Sequence, residues 1–177
     1  FQKVGKIFDP RDHLLFTELR EYAQSPQAIV FDDRVRIFFT TRDRDGAGMF
    51  KSHPAFVDMD LDMQQVLRVS AKPLVALGER GCFDEHGIFP INPVRIGQQI
   101  WAYTTGWTRR KSVATDSGIG LAVSDNGGET FAKYGQGPTL GPSLHEPFLV
   151  SDGFVLQHEG CFHMWYIFGK RWIRASE

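Results

Sequence analysis

The sequence predicts an all-β fold, part of a β-propeller built from antiparallel four-stranded blades. Three observations carry that expectation. Apolar and polar residues alternate over short runs, Gly, Asp and Asn punctuate those runs, and the pattern returns about every 64 residues. Helical periodicity is almost absent; only Asp12 to Tyr22 would support about two turns, and weakly.

The strands read, in order, Gln27 to Phe31, Val35 to Thr41, Pro93 to Ile96, Gln99 to Thr105, Ile119 to Ser124, Phe154 to His158 and Phe162 to Phe168. Short strands at hairpin spacing, with turn residues between them, are the pattern of all-β domains. The repeat is visible in Arg36 to Arg42, Ile100 to Gly106 and His163 to Gly169, whose central aromatics Phe39, Tyr103 and Tyr166 lie 64 and 63 residues apart. Pro73 and Pro138, 65 apart, repeat a second marker. Each unit would hold an inner strand, an aromatic strand, a third strand and a looser outer one. The chain then divides as a single partial propeller domain, 1–177, with an N-terminal segment 1–24, a first blade 25–80, a second blade 81–142 and an incomplete third blade 143–177. A closed ring usually needs four or more blades. Two explanations stand side by side: a piece of a longer protein, or two chains sharing open edges as a homo-oligomer.

Composition narrows the function. The 177 residues carry 20 basic and 21 acidic side chains, a formal charge of −1, so nothing draws the chain to nucleic acid or an anionic membrane. The longest apolar stretches, such as Cys161 to Gly169, are too short to cross a bilayer. The chain opens on Phe1 rather than Met, which leaves localisation open. Cys82 and Cys161 would more readily be buried thiols than a disulfide. No spacing of Cys and His suggests zinc, so neither a metal site nor a cofactor is expected.

The repeat also aligns carboxylates. Glu21, Glu85 and Glu146 each precede a valine (Val30, Val94 and Val155) by nine residues, and those valines are expected to open the inner strands. Such positions converge on a propeller's central funnel, where paired carboxylates would suit glycoside hydrolysis, one as acid and one as base or nucleophile. Crowding raises the pKa of one member and fits it to donate a proton. A repeated Glu would equally serve as a brace between blades. The densest polar cluster, Gly81 to Pro90, adds Asp84 and His86 beside Glu85, followed by Trp107, which would stack on a sugar face or pack between blades. Arg42 and Asp43 follow the corresponding strand of the first unit, as a binding loop or a solvated turn, and His145 neighbours Glu146.

Ser124 to Phe131 reads as a turn between strands and resembles the Asp-box of sialidase-type propellers, with Asn126 and Phe131 in place of Asp and Trp. That motif argues for fold rather than activity. A sialidase would also need an arginine cluster, and the sequence does not bring Arg42, Arg44, Arg95 and Arg109 together.

Taken together, Ala23 to Pro26, Phe83 to Gly87, Trp101 to Trp107, Gly120 to Asp125 and Met164 to Tyr166 resemble the five-bladed propeller glycosidases, the superfamily of family 43 and family 32 glycoside hydrolases. The likeness runs from about Tyr22 onward, on short motifs. It implies one acidic residue from each of the first three blades, with Asp84 or Glu85 as the second-blade acid and Glu146 as the general acid. The first blade departs from the pattern, because Ser25-Pro26 stands where that superfamily usually has Asp-Pro; Glu21 or Asp43 would have to substitute. Two functions therefore stay open. One is a carbohydrate-active protein related to glycoside hydrolases. The other is a non-catalytic carbohydrate-binding or assembly module that completes itself by oligomerisation.

Overall fold

The computed structural model describes residues 3 and 5–173. Among them the chain forms a short 3-10 turn (Pro10–Asp12) and ten strands: β1 (Leu19–Val30), β2 (Val35–Arg44), β3 (Phe50–Met59), β4 (Val66–Val69), β5 (Gly87–Ile96), β6 (Gln99–Arg109), β7 (Thr115–Ser124), β8 (Ala132–Lys133), β9 (Val150–His158) and β10 (Cys161–Phe168). The fold is all-β. Consecutive strands pair antiparallel within two four-stranded runs, β1 to β4 and β5 to β8, and β9 pairs with β10 in a separate hairpin. A single parallel bridge, Ser52 to Gly87, joins the two runs. The first strands of the units follow one another at the inner edge, β1 against β5 and β5 against β9. The sheet does not close, which is the geometry of a partial propeller.

Two apolar clusters hold the first blade. On one face, Phe38 and Phe56 pack with Ile88, Ile91, Ile100 and Phe131 of the second blade. Phe38 is wholly buried, and burying a Phe side chain contributes about 2–3 kcal/mol. On the other face, Val35, Ile37, Phe39, Val57 and Met59 are covered by Phe8, Leu15 and Phe16 from the N-terminal segment.

Covering that face is why no helix forms across Asp12 to Tyr22. Leu15 is drawn into the apolar cluster, Thr17 bonds Thr41 through paired hydroxyls at 3.0 Å, and the backbone from Leu19 onward is paired with β2. A two-turn helix of weak periodicity cannot compete with a full sheet ladder.

The inner strands also begin much earlier than the sequence suggests. Val30 ends β1, Val94 lies near the end of β5, and Val155 sits inside β9, so none of these valines opens its strand. Each inner strand is broken by an irregularity at the same place in the repeat. Pairing slips between Gln24 and Gln27 in β1, between Ile88 and Ile91 in β5, and between Ser151 and Phe154 in β9. Ser25 (φ 50°) and Asp152 (φ 53°) take left-handed backbone there, a conformation non-glycine residues adopt rarely. The cysteines are free, and Cys161 is exposed rather than buried.

The Ser124 to Phe131 segment forms the expected turn, between β7 and β8. Ser124 Oγ accepts the Gly128 N–H at 2.9 Å, and Asn126 Oδ1 accepts the Thr130 N–H at 3.1 Å. Gly128 is required: its φ is +81°, and an added Cβ would lie 2.8 Å from the Phe38 ring. The turn is also a joint between blades. Arg36, with no exposed surface, binds Asp58 through both Nε and Nη2 at 2.7 Å, the Gly127 carbonyl at 2.9 Å and Glu129 at 2.7 Å. Arg68 bridges Asp58 and Glu129 from outside. Burial alone would push both carboxyls up, but Arg36 and Arg68 outweigh it and hold Asp58 and Glu129 below the usual range.

Candidate functional site

The three bulges converge. A cavity of about 360 Å³ at the inner edge is lined by three residues from each inner strand: Ser25, Pro26 and Gln27; Phe89, Pro90 and Asn92; Asp152, Gly153 and Phe154. Next to it lies a cleft of about 330 Å³, sharing Phe89 and Asp152 and extending to Arg42, Trp107, Leu149 and the hydroxyls of Thr105, Thr115, Ser117 and Ser151. An apolar and aromatic floor with a few convergent polar groups is the usual make-up of a small-ligand site.

Register explains why these side chains meet. Arg42 pairs with Leu19 at the start of β1, and Trp107 pairs with Gly87 at the start of β5. Both therefore sit at the end of the sheet where the inner strands begin. Gly87 has to be glycine, because a Cβ there would lie 2.2 Å from Trp107 Nε1 and 2.7 Å from Ser52 Cβ. The indole thus lies directly over the strand, with the His86 ring stacked on it at 6.0 Å.

Asp152 is the residue that sequence reading overlooked. Its side chain is exposed at the cavity mouth, yet the surrounding protein desolvates it enough to push its carboxyl above the usual range. Its backbone N–H donates to Thr105 Oγ1 at 2.8 Å, and the Val155 N–H donates to Asn92 Oδ1 at 2.8 Å. These bonds from the second blade hold the third inner strand where its own ladder is broken.

The four carboxylates picked out by sequence lie in other places. Glu21 is exposed near the start of β1, Glu85 precedes β5, and Glu146 precedes β9. None of them lines either cavity, and neither does Asp84. Glu85 accepts the Gly81 N–H at 2.8 Å, which holds its carboxyl below the usual range. Glu146 accepts the Tyr166 hydroxyl at 2.9 Å. Asp84 is 1% exposed and ion-paired with Lys133 at 2.5 Å.

The remaining candidates separate by their partners. His86 accepts the Arg109 N–H on Nδ1 at 3.3 Å, so the neutral ring carries its proton on Nε2, 3.7 Å from Glu85. Burial first, then the Arg109 charge, depresses its pKa. Asp43 accepts the Arg44 N–H at 2.8 Å, and His145 is exposed. The arginines a sialidase would cluster are scattered: Arg44 binds the Gly48 carbonyl, Arg95 the Val30 carbonyl and Arg109 the Asp45 carboxylate. Only Arg42 lines the cleft. No grouping of three or more His, Cys, Asp or Glu capable of holding a metal occurs among the described residues.

Comparison with known proteins agrees with this architecture. No family model matches the chain. An uncharacterized protein of Mycobacterium tuberculosis, found in two strains, is 31% identical over 178 aligned positions. The match takes in all of this chain, which spans 58% of that relative's length. Among solved structures, a glycoside hydrolase superposes with a TM-score of 0.66 at 12% identity, over 93% of this chain and 46% of its own. A family 117 glycoside hydrolase of the marine bacterium Zobellia galactanivorans gives 0.60 at 14% identity, over 84% of this chain and 44% of its own. The fold is that of the β-propeller glycoside hydrolases.

Proposed function

We propose that this chain is a carbohydrate-active protein related to glycoside hydrolases, which holds a sugar in the cleft between Arg42, Trp107 and Asp152. The observation that carries the reading is their convergence: an aromatic platform, a guanidinium and a carboxyl reach one cleft from three different blades. Trp107 offers a sugar ring the apolar indole surface that borders the cleft beside the stacked His86, and the flanking Thr and Ser residues suit its polar rim. Asp152, with its raised pKa, is suited to give a proton to a leaving oxygen. Glu85 and Glu146, which precede the second and third inner strands, are proposed as the carboxylates from which a second catalytic member would come; two are needed for hydrolysis. We further propose 25–80, 81–142 and 143–177 as the blade units.

The test is direct. Titration with arabino-, xylo- and fructo-oligosaccharides should quench tryptophan fluorescence, and Trp107→Ala should weaken binding by about tenfold or more. Asp152→Asn should abolish any turnover of aryl glycosides while leaving binding in place. Full activity in Asp152→Asn would remove it from the chemistry, and undiminished binding in Trp107→Ala would remove the platform.

One feature favours a second reading, an assembly module. The β9–β10 hairpin exposes Leu156, Trp165 and Ile167. A second copy covering that edge would make a homo-oligomer, and a monodisperse monomer in sedimentation would rule it out.

A further inference from the structure

Four described arginines are withdrawn from the surface: Arg34, Arg36, Arg42 and Arg109. Three of them are tied to carboxylates, Arg34 to Asp33 and Asp58, Arg36 to Asp58 and Glu129, and Arg109 to Asp45. Arg42 is not. No carboxylate among the described residues, Glu21, Asp43 and Asp152 included, lies within ion-pair distance of it. Its guanidinium packs against the rings of Tyr22 and Phe50, each 5.3 Å away, and its Nε is sealed from solvent without a hydrogen-bond partner.

A half-buried guanidinium with no counter-ion and a sealed, unpartnered Nε has given up part of its hydration without a protein acceptor in return. Its aromatic neighbours recover part of that loss and also fix the orientation of the fork. Elsewhere in this chain the same cost is met by an internal carboxylate. Here the guanidinium borders a cleft large enough for a sugar ring, so the missing anion has room to come from outside.

We propose that the sugar bound in this cleft is acidic, a uronate whose carboxylate docks on the Arg42 fork. The inference rests on the sugar-binding reading above and adds the substrate class. A planar guanidinium matches a carboxylate through two parallel hydrogen bonds, and such charge-assisted contacts are among the strongest available to a ligand. Across the cleft, burial favours the neutral form of Asp152, which lessens its repulsion of an anionic ring.

The experiment compares sugars that differ only at the carboxylate: galacturonate against galactose oligosaccharides, and glucuronate against glucose oligosaccharides, titrated into the purified protein by calorimetry. The acidic member of at least one pair should bind about tenfold more tightly, a preference that high salt erodes. In Arg42→Gln that ratio should collapse towards one. If Arg42→Gln does not fold, as judged by its thermal transition, Arg42→Lys decides, and it should lose part of the ratio because the ammonium lacks the fork. Equal or weaker binding of the acidic sugars, or a ratio that survives removal of the guanidinium, overturns the proposal. Neutral sugars binding without an acidic preference would defeat this inference alone. No binding by either kind would defeat the sugar-binding reading with it.

Discussion

The joint between the first and second blades and the joint between the second and third are built on opposite principles. The first is packed at its centre and keeps only an outer groove of about 440 Å³ beside β4, between Arg68 and Glu129. Phe38, Phe56 and Phe131 close an apolar core, and Arg36 is locked between Asp58 and Glu129 with no exposed surface. The second is stitched by single side-chain hydrogen bonds to backbone: Thr105 to Asp152, Asn92 to Val155 and Ser117 to Val150. Its cleft reaches the inner strands, where the first joint has a core. One joint fixes the position of the blades; the other leaves room for a ligand. A propeller needs both, because close packing throughout would fill the funnel.

Breaking the packed joint should cost most. Asp58→Ala leaves the Arg36 charge buried with too few partners, and the expected loss is about 3–5 kcal/mol in urea unfolding. A loss under about 1 kcal/mol would mean that water reaches Arg36 after all. At the open joint, Asn92→Ala strands the buried Val155 N–H, and about 1–2 kcal/mol should go. Here the sharper readout is hydrogen exchange. Protection should fall in β9 while β2 and β3 stay as they were; uniform loss would show that the two joints act as one.

The smallest effect is pH-dependent. Arg109, reaching over from β6, lowers Asp45 to about 2. A carboxyl with a depressed folded pKa adds stability that is complete above its ordinary value near 3.8 and is lost as pH falls through the folded one. Melting temperatures of the wild type and Asp45→Asn should therefore differ by a constant amount above about pH 5 and converge as pH approaches 2. A gap that persists at pH 2 would assign the difference to packing instead.

Much of the architecture can be read in the chain, including the second strand of each unit, the repeat and the turn at Ser124 to Phe131. Arg42 and Trp107 stood out as well, because each follows an aromatic strand that is plain in the sequence. The inner strands were only half legible. Their first halves contain Ser25-Pro26, Phe89-Pro90 and Asp152-Gly153, pairs that locally spell a break. In the structure those pairs are bulges inside continuous strands, held open by neighbouring blades. Asp152 was hidden for that reason. Likewise, no local signal distinguishes Asp84, which is buried and ion-paired with Lys133, from a carboxylate that lines a cavity.

Alternation, turn residues and the 64-residue period are properties of neighbouring positions, so the sequence by itself determined that this chain forms blades of a propeller. Which side chains share the funnel was decided only by the tertiary structure. Convergence of Ser25, Phe89 and Asp152 depends on how three inner strands, each about 64 residues from the next, pack around one edge. The solitary state of Arg42 likewise exists only once every other withdrawn arginine has found its carboxylate.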